Sequence, residues 1–558
     1  MDSEHLLRVA SNFTSAALVP LVLGLSLDIY LVSRVITDDV AISLMAAGGL
    51  FVLLIGLWFV SRTCGTMGAA VDHMRDNVHY VNFILVMLTS ACSACAQPVA
   101  PSAASSPAAS ALAPASDTLA GDRSQASSEP NYGLPAIEIV GFQFLLNRAN
   151  RYFGSNRDDY RVTAGSIRRN LRSGWGTDRD PFETNQLGHP YQGAMYYGFA
   201  RSANLDYWQS LGYSFAGSAL WEIAGERTRP SRNDQIATGI GGTFLGEALF
   251  RMSSLVLEQG GGLSPFWRDV VATAIAPSAG LNRLAFGERY GRVFSSRDAA
   301  YFSRFELGYS NSVKRSLGTS TVDFKRNEAQ VGFSIDYGLP GSAGYEYTRP
   351  FDYFNFQATA SSANGVENVM THGLLLGKSY AAGQNYRGVW GLYGSYDYIA
   401  PQTFRISSTA LSIGSTAQWW LSESLSLQGT AMAGLGYAAV GTTRGAVGER
   451  DYNYGVAPQA LVALRLTYGS RASLDLAVRE YFVSNVASGT TGGHDNIIRG
   501  DASFTYRIAK QRALTIRLLG NRRDAKFANP GTQRQTQVAV GIFYTVLGQD
   551  RFGAIDWR

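Results

Sequence analysis

Cysteine is nearly missing from this chain of 558 residues: three occur, at Cys64, Cys92 and Cys95, and none follows. That excludes a disulfide framework and a cysteine-based metal centre from the body of the protein. Cys92 and Cys95 have CxxC spacing but close an apolar run, which disfavours a redox or zinc role. Charge is sparse as well. Asp, Glu, Lys and Arg make up 16% of residues, the net charge is +5, and no basic tract concentrates it. No nucleic-acid partner is therefore expected. No serine sits in a nucleophile elbow, no HExxH occurs, and no phosphate-binding glycine loop follows a strand. No cofactor and no metal is expected from motifs alone.

What is plentiful points to a membrane. Aromatic residues reach 12%, and there are 60 glycines, above the ordinary usage of roughly 7%. The mean hydropathy is nevertheless only -0.04. A bundle of spanning helices would raise it, since each span needs about 20 apolar residues in a row. A transmembrane β-barrel would not, because only alternate residues face lipid. From about residue 299 to 547 such alternation recurs. Val331, Phe333, Ile335 and Tyr337 are separated by Gly332, Ser334 and Asp336; Leu474, Leu476 and Val478 by Asp475 and Ala477. Leu514, Ile516 and Leu518 flank Thr515 and Arg517, and Val538, Val540, Ile542, Tyr544 and Val546 form one face. Turn-rich breaks such as Leu339-Pro340-Gly341 and Gly492-Gly493 separate the segments, which predicts an antiparallel barrel of about 12 strands. Clustered aromatics (Tyr393, Tyr396, Tyr398; Trp419, Trp420) suit girdles near strand ends. The last strand should end near Leu547, with a short tail to Arg558. A soluble β-sandwich or solenoid is the competing reading.

The first 134 residues predict three further regions. Residues 1–73 hold two apolar segments, at about 13–35 and 40–60, each long enough to cross a bilayer as a helix. Residues 74–96 have the parts of a signal peptide: Met74-Arg75, an apolar run over 78–88, and Ala94-Cys95-Ala96 before Gln97. A mature outer-membrane barrel cannot remain joined to an inner-membrane hairpin without a long tether. Either translation starts at Met74, or the first segment is lost with the signal, or the chain is a fusion whose first 73 residues stay in the inner membrane. Residues 97–134 are rich in Ala, Ser and Pro and read as a disordered linker.

Residues 135–298 have a helical texture. Pro230-Ser231 followed by Asp234 is a helix start, with Ser231 accepting from early amides and Asp234 at the positive end of the dipole. Asn204 is a candidate cap for a helix running to about Gly225, and Ser264-Pro265 starts another that Pro277 ends. Gly239, Gly242 and Gly246 fall on one helical face. Mid-helix glycine costs about 1 kcal/mol relative to alanine, so another backbone should pack close there. Glu222 and Glu226 are four apart, which disfavours ionising both unless a cation lies between them; Glu247 and Arg251, also four apart, can pair.

The run from His189 onward (HPYQGAMYYGFAR, then WEIAGE, then PSRNDQIATGIGGTFLGEALFR) resembles the signature of a bacterial family catalogued only as a domain of unknown function and found in predicted outer-membrane proteins. The resemblance implies an envelope protein and brings no activity or ligand with it.

The expectation is thus a barrel over 299–558 preceded by a helical plug or cap over 135–298, in the bacterial outer membrane. Outer-membrane lipid, lipopolysaccharide and the barrel-assembly machinery would be its partners. A plug network would include Arg201, Arg232, Asn233, Glu247 and Arg251, with helix charges matched by lumen residues such as Asp336, Asp475, Arg479 and Arg517. The favoured role is a structural part, or one that moves a lipid or small solute. The alternative is a barrel-embedded hydrolase or transferase acting on envelope lipid, with His189, Glu222, Glu226 and Asp234 as candidate catalytic residues. An enzyme is the less favoured of the two.

Overall fold

The computed structural model describes residues 129–554, apart from 155–156, 179, 261, 288–298, 318–321, 343, 402, 443–451, 485–492, 528–531 and 550. The two apolar segments, the signal-type segment and nearly all of the Ala/Ser/Pro stretch lie outside the described residues.

Twelve antiparallel strands form one closed barrel. They are β1 (Tyr301–Leu317), β2 (Val322–Tyr337), β3 (Phe354–Ser361), β4 (Gly365–Ala382), β5 (Tyr386–Ile399) and β6 (Phe404–Trp420). Then follow β7 (Leu425–Thr442), β8 (Tyr452–Tyr468), β9 (Ala472–Ser484), β10 (Gly493–Ala509), β11 (Arg512–Phe527) and β12 (Thr532–Leu547). Each strand pairs with its sequence neighbour, and the seam joins β1 to β12, with Tyr309 opposite Ile542. Closure pairs every strand on both sides, although the short β3 leaves 322–329 of β2 and 375–382 of β4 without a strand partner on its side.

The period-two pattern sorts side chains into two sets. On β8 to β12 and β1 the outward set is apolar and exposed, as with Leu307, Val462, Leu476, Phe504, Leu518 and Val540. The inward set is polar in the middle of the bore and apolar at its ends. At the end away from where the chain enters and leaves, Met370, Ile399, Phe404, Ile406, Tyr481 and Val483 pack across the bore. At the end where the chain enters and leaves, Phe302, Leu339, Ala513 and Leu547 close around Phe552 from the C-terminal tail. Gln428 inside the barrel donates to the Gly553 carbonyl at 2.6 Å, which holds that tail in place.

Between these layers lies an ionic layer. Arg465 on β8 reaches Asp336 on β2 at 2.9 Å, six strands away round a ring of twelve, and Asp475 at 2.5 Å. Arg304 pairs with Asp475 (2.9 Å), Arg479 with Asp397 (3.1 Å) and Arg517 with Glu306 (2.7 Å). The cavity left among them is about 150 Å³ and is lined by barrel residues alone. The expected matching of helix charges with lumen charges is therefore not what the structure shows. Asp336, Asp475, Arg479 and Arg517 pair with other barrel residues.

The helices are α1 (Gly133–Phe153), α2 (Ala164–Arg172), α3 (His189–Ser202), α4 (Tyr207–Leu220), α5 (Arg232–Ile236), α6 (Gly242–Gln259), α7 (Pro265–Ile275) and α8 (Pro277–Phe286). Three π-helical turns interrupt or extend them: Thr184–Gly188 before α3, Trp221–Gly225 after α4, and Ala237–Gly241 joining α5 to α6. The cap of α4 is Asp206, whose side chain accepts from the Gln209 amide, rather than Asn204, which sits at φ 65° in the preceding turn. Ser231 caps α5 as its sequence implies, accepting from the Asp234 amide. Pro277 both ends α7 and opens α8, a helix the sequence reading did not separate.

The expected plug is corrected by where these helices sit. They pack on the outside of the barrel wall. Their buried cluster includes Phe333, Ile335 and Tyr337 of β2, Phe354 and Phe356 of β3, Tyr396 and Tyr398 of β5, and Tyr452 and Tyr454 of β8. All of these alternate with bore-lining neighbours such as Asp336, Asn355, Asp397 and Asn453, so all point outward. The physical reason is twofold. The bore is already filled by its own side chains, and the outward face of these strands carries large aromatics that gain by burial. The far side of the helical layer is apolar too, with Ile137, Phe144 and Leu145 on α1, Phe266 and Trp267 on α7, and Leu284 on α8 exposed.

Candidate functional site

The closest helix crossing fixes the frame of the site. A Cβ on Gly193 of α3 would lie 1.9 Å from the Thr238 carbonyl oxygen, and one on Gly242 would lie 2.6 Å from the Gly193 Cα. Only glycine permits this approach, which sets the π-helical turn Ala237–Gly241 against the start of α3. His189 opens α3 and Thr238 lies in that turn, and the His189 Nδ1 stands 3.1 Å from the Thr238 hydroxyl. With Nδ1 held, Nε2 faces Asp234 Oδ1 at 4.0 Å.

Glu222 arrives from the π-helical turn after α4. One of its oxygens accepts from the Ser231 amide at 2.8 Å, while Oε1 is buried without a hydrogen-bond partner. Asp234 accepts from the Asn233 side chain at 2.8 Å and from the Ser231 hydroxyl. His189, Glu222 and Asp234 each offer one ligand atom, and these atoms lie within 4.8 Å of one another. All three residues are buried. Each of the three π-helical turns, a feature that recurs at functional sites, adjoins or contains one of them or the Thr238 partner.

The electrostatics are one-sided. Burial, then Glu226 and Asp234, push the Glu222 carboxyl up to about 10. Asp234 is raised by burial and by Asp178, although Ser231 and Asn233 work the other way. His189 is lowered by burial, with Asp178 and Asp180 opposing. Among the described residues no Arg or Lys forms a salt bridge with Glu222, Glu226 or Asp234. Burial thus disfavours the charged form of all three residues, and the neighbouring carboxylates disfavour it further for Glu222 and Asp234.

The other candidate residues divide between two places. Asn233 belongs to this pocket: its Nδ2 donates to Tyr454 Oη at 2.8 Å, and its Oδ1 accepts from the Asp178 amide at 2.8 Å. Glu226 stays close enough for its charge to raise the Glu222 carboxyl, as the four-residue spacing implies. It leaves the helix in extended backbone (φ -141°, ψ 167°), and its side chain accepts from the Thr228 hydroxyl at 2.6 Å. Arg232 is exposed. Arg201, Glu247 and Arg251 form a separate buried triad. Glu247 accepts from Arg201 and Arg251, both at 2.8 Å, and from Tyr197 at 2.8 Å, while Arg251 also reaches Asp352 on the β2–β3 connection at 3.0 Å.

Sequence reading missed the wall side of the pocket. Tyr452 and Tyr454 accept from Asn185 (2.9 Å) and Gln186 (3.0 Å) respectively, Tyr452 donates to the Asp180 carbonyl (2.7 Å), and Tyr396 donates to the Gln186 carbonyl (2.5 Å). A tyrosine pair two apart on a strand start reads equally as girdle. Asp178 and Asp180 flank Arg179 in a short charged run, which reads as a solvated loop.

Residues 174–278 match the model of a family described as Domain of unknown function (DUF3943), and every pocket residue named from the helices falls within that span. No curated protein matches the chain. Among solved structures, the NanC porin is 6% identical, with 42% of this chain and 98% of that chain covered and a TM-score of 0.20. The outer membrane channel DcaP of Acinetobacter baumannii is 10% identical, with 45% and 99% covered and a TM-score of 0.20. The toluene transporter TodX of Pseudomonas putida is 10% identical, with 44% and 89% covered and a TM-score of 0.17. These likenesses are slight, and the barrel stands on the strand register of this chain.

Proposed function

We propose that this chain is an outer-membrane protein whose barrel anchors and positions a helical layer on its outer wall, and does not conduct solutes. The observation that carries this reading is the filled bore, with apolar layers at both ends and arginine–carboxylate pairs spanning the middle. The exposed apolar band on β8 to β12 and β1 supports membrane residence, with lipid and lipopolysaccharide as the surrounding partners. Connections of three or four residues at 383–385, 421–424 and 469–471 lie at the end where the chain enters and leaves, beside the long β2–β3 connection at 338–353. The apolar far face of α1, α7 and α8 suits contact with the same membrane surface.

The test is liposome swelling with the purified full chain and a series of sugars. Swelling no faster than in protein-free liposomes is the expected result. Passage of small sugars by the unmodified protein would return the chain to the transport reading.

One observation favours an enzyme as the second reading: His189, Glu222 and Asp234 converge although they lie on three separate elements. A hydrolase or transferase would lose turnover of envelope lipid in Glu222→Gln while its barrel still resists unfolding in detergent.

A further inference from the structure

We propose that His189, Glu222 and Asp234 are the protein ligands of a divalent transition-metal ion held between the helical layer and the outer wall of the barrel. Three lines converge on this. The first is geometry. One nitrogen and two carboxylate oxygens from α3, the turn after α4, and α5 lie within 4.8 Å of one another. Two bonds of about 2.1 Å to one ion span at most about 4.2 Å, so shifts of about an ångström close the set.

The second is an orphaned atom. Glu222 is fully buried, and its Oε1 has no hydrogen-bond partner. A buried polar atom left unsatisfied costs stability, and here it is one of the groups that converge on the site. A cation at the centre of the three removes that cost.

The third is the surrounding shell. His189 Nδ1 meets the Thr238 hydroxyl, which leaves Nε2 to bind. Asp234 is oriented by Ser231 and by Asn233, and Asn233 is itself tied to the barrel through Tyr454. Metal-binding residues are held in this way, and in His189 and Glu222 the atom left over is fixed by a second group, Thr238 and the Ser231 amide. Among the described residues no arginine or lysine forms a salt bridge with Glu222 or Asp234, whereas the triad at Glu247 in the same helical layer has two arginines.

The donor set selects the ion. An imidazole with two carboxylates suits zinc, manganese or iron; calcium and magnesium take oxygen ligands. Three protein ligands leave a further position open to water or another small ligand. The assignment is independent of whether the bore conducts.

The experiment uses the full chain without an affinity tag, stripped with a chelator and dialysed against Zn²⁺. Metal analysis should find one zinc per chain, and titration calorimetry one site. Glu222→Gln and Asp234→Asn should each abolish stoichiometric binding, and Thr238→Val should weaken it about 10- to 100-fold. Co²⁺ in place of zinc should give a visible spectrum of nitrogen and oxygen ligation in the unmodified protein, a readout that needs no variant. Liposome swelling should be the same with and without metal, so loss of this proposal leaves the closed-bore reading standing. Absence of a stoichiometric ion, binding unchanged in Glu222→Gln and Asp234→Asn, or a site that takes Ca²⁺ in preference to Zn²⁺ would each overturn it.

Discussion

The bore and the pocket behind the wall bury the same kinds of side chain under opposite arrangements. In the bore, Asp336, Asp397, Asp475 and Glu306 each meet an arginine within 3.1 Å. Behind the wall, Glu222 and Asp234 face His189, further acids and hydroxyls, and no arginine or lysine bridges to them among the described residues. Paired charges hold a structure shut, since removing one partner leaves a buried ion uncompensated. Unpaired carboxylates do the reverse: they cost stability and persist where something other than stability requires them. The helical layer contains both cases, because Glu247 with Arg201 and Arg251 is built like the bore.

The largest expected effect follows from that internal control. Although burial opposes it, Arg201 and Arg251 hold the Glu247 carboxyl below its ordinary range. Glu247→Ala should therefore destabilise the helical layer by about 3–5 kcal/mol, read by chemical denaturation in detergent. A loss under about 1 kcal/mol would erase the distinction between the two sets.

Glu222→Gln should act in the opposite direction in metal-free protein. Burial raises this carboxyl in the folded state to about 10, against an ordinary 4.5. Its contribution is fully present below pH 4.5 and is lost as pH rises toward 10, because the unfolded chain ionises first. Glutamine removes that loss, so the variant should gain roughly 1–3 kcal/mol at pH 7 and nothing at pH 4. Parallel stability curves for the two proteins across pH would show that Glu222 is already neutralised by a partner.

Gly193→Ala should cost about 1–3 kcal/mol by overpacking, since its Cβ meets the Thr238 carbonyl. It should also weaken zinc binding by displacing the Thr238 hydroxyl from His189. Arg232→Ala should change stability by less than about 0.5 kcal/mol, because that side chain is exposed and belongs to neither set.

How much of this was legible in the sequence follows from what each pattern encodes. Strand alternation reports which residues avoid water, so the barrel and its strand count could be read. It does not report what covers them. Phe354 and Phe356, under the helices, follow the same rule as Val538 and Val540, which are exposed, and the outer docking was therefore invisible. The aromatic cluster on β5 illustrates the limit: Tyr393 faces the bore, while Tyr396 and Tyr398 face helices. Helical spacing predicted the Glu247–Arg251 pair, but Arg201 joins it from 46 residues away. The same spacing put Glu226 near Glu222, and its charge does raise that carboxyl, although a π-helical turn breaks the 3.6 period just before it. His189 and Asp234 were named for their chemistry; their meeting depends on the Gly193–Gly242 crossing, which the glycine stripe showed from one side only.

The position of the helices also bears on how the barrel comes to exist. They rest on the wall from β2 to β8, whereas the seam brings together the two far ends of the barrel sequence, Tyr309 with Ile542. Contacts between distant segments form late, because the loop entropy must be lost before they gain anything. An incomplete sheet exposes apolar flanks that invite aggregation. Here the apolar flank from β2 to β8 is covered by helices that precede it in the chain, so that part of the sheet's outer face has a cover that does not depend on the seam.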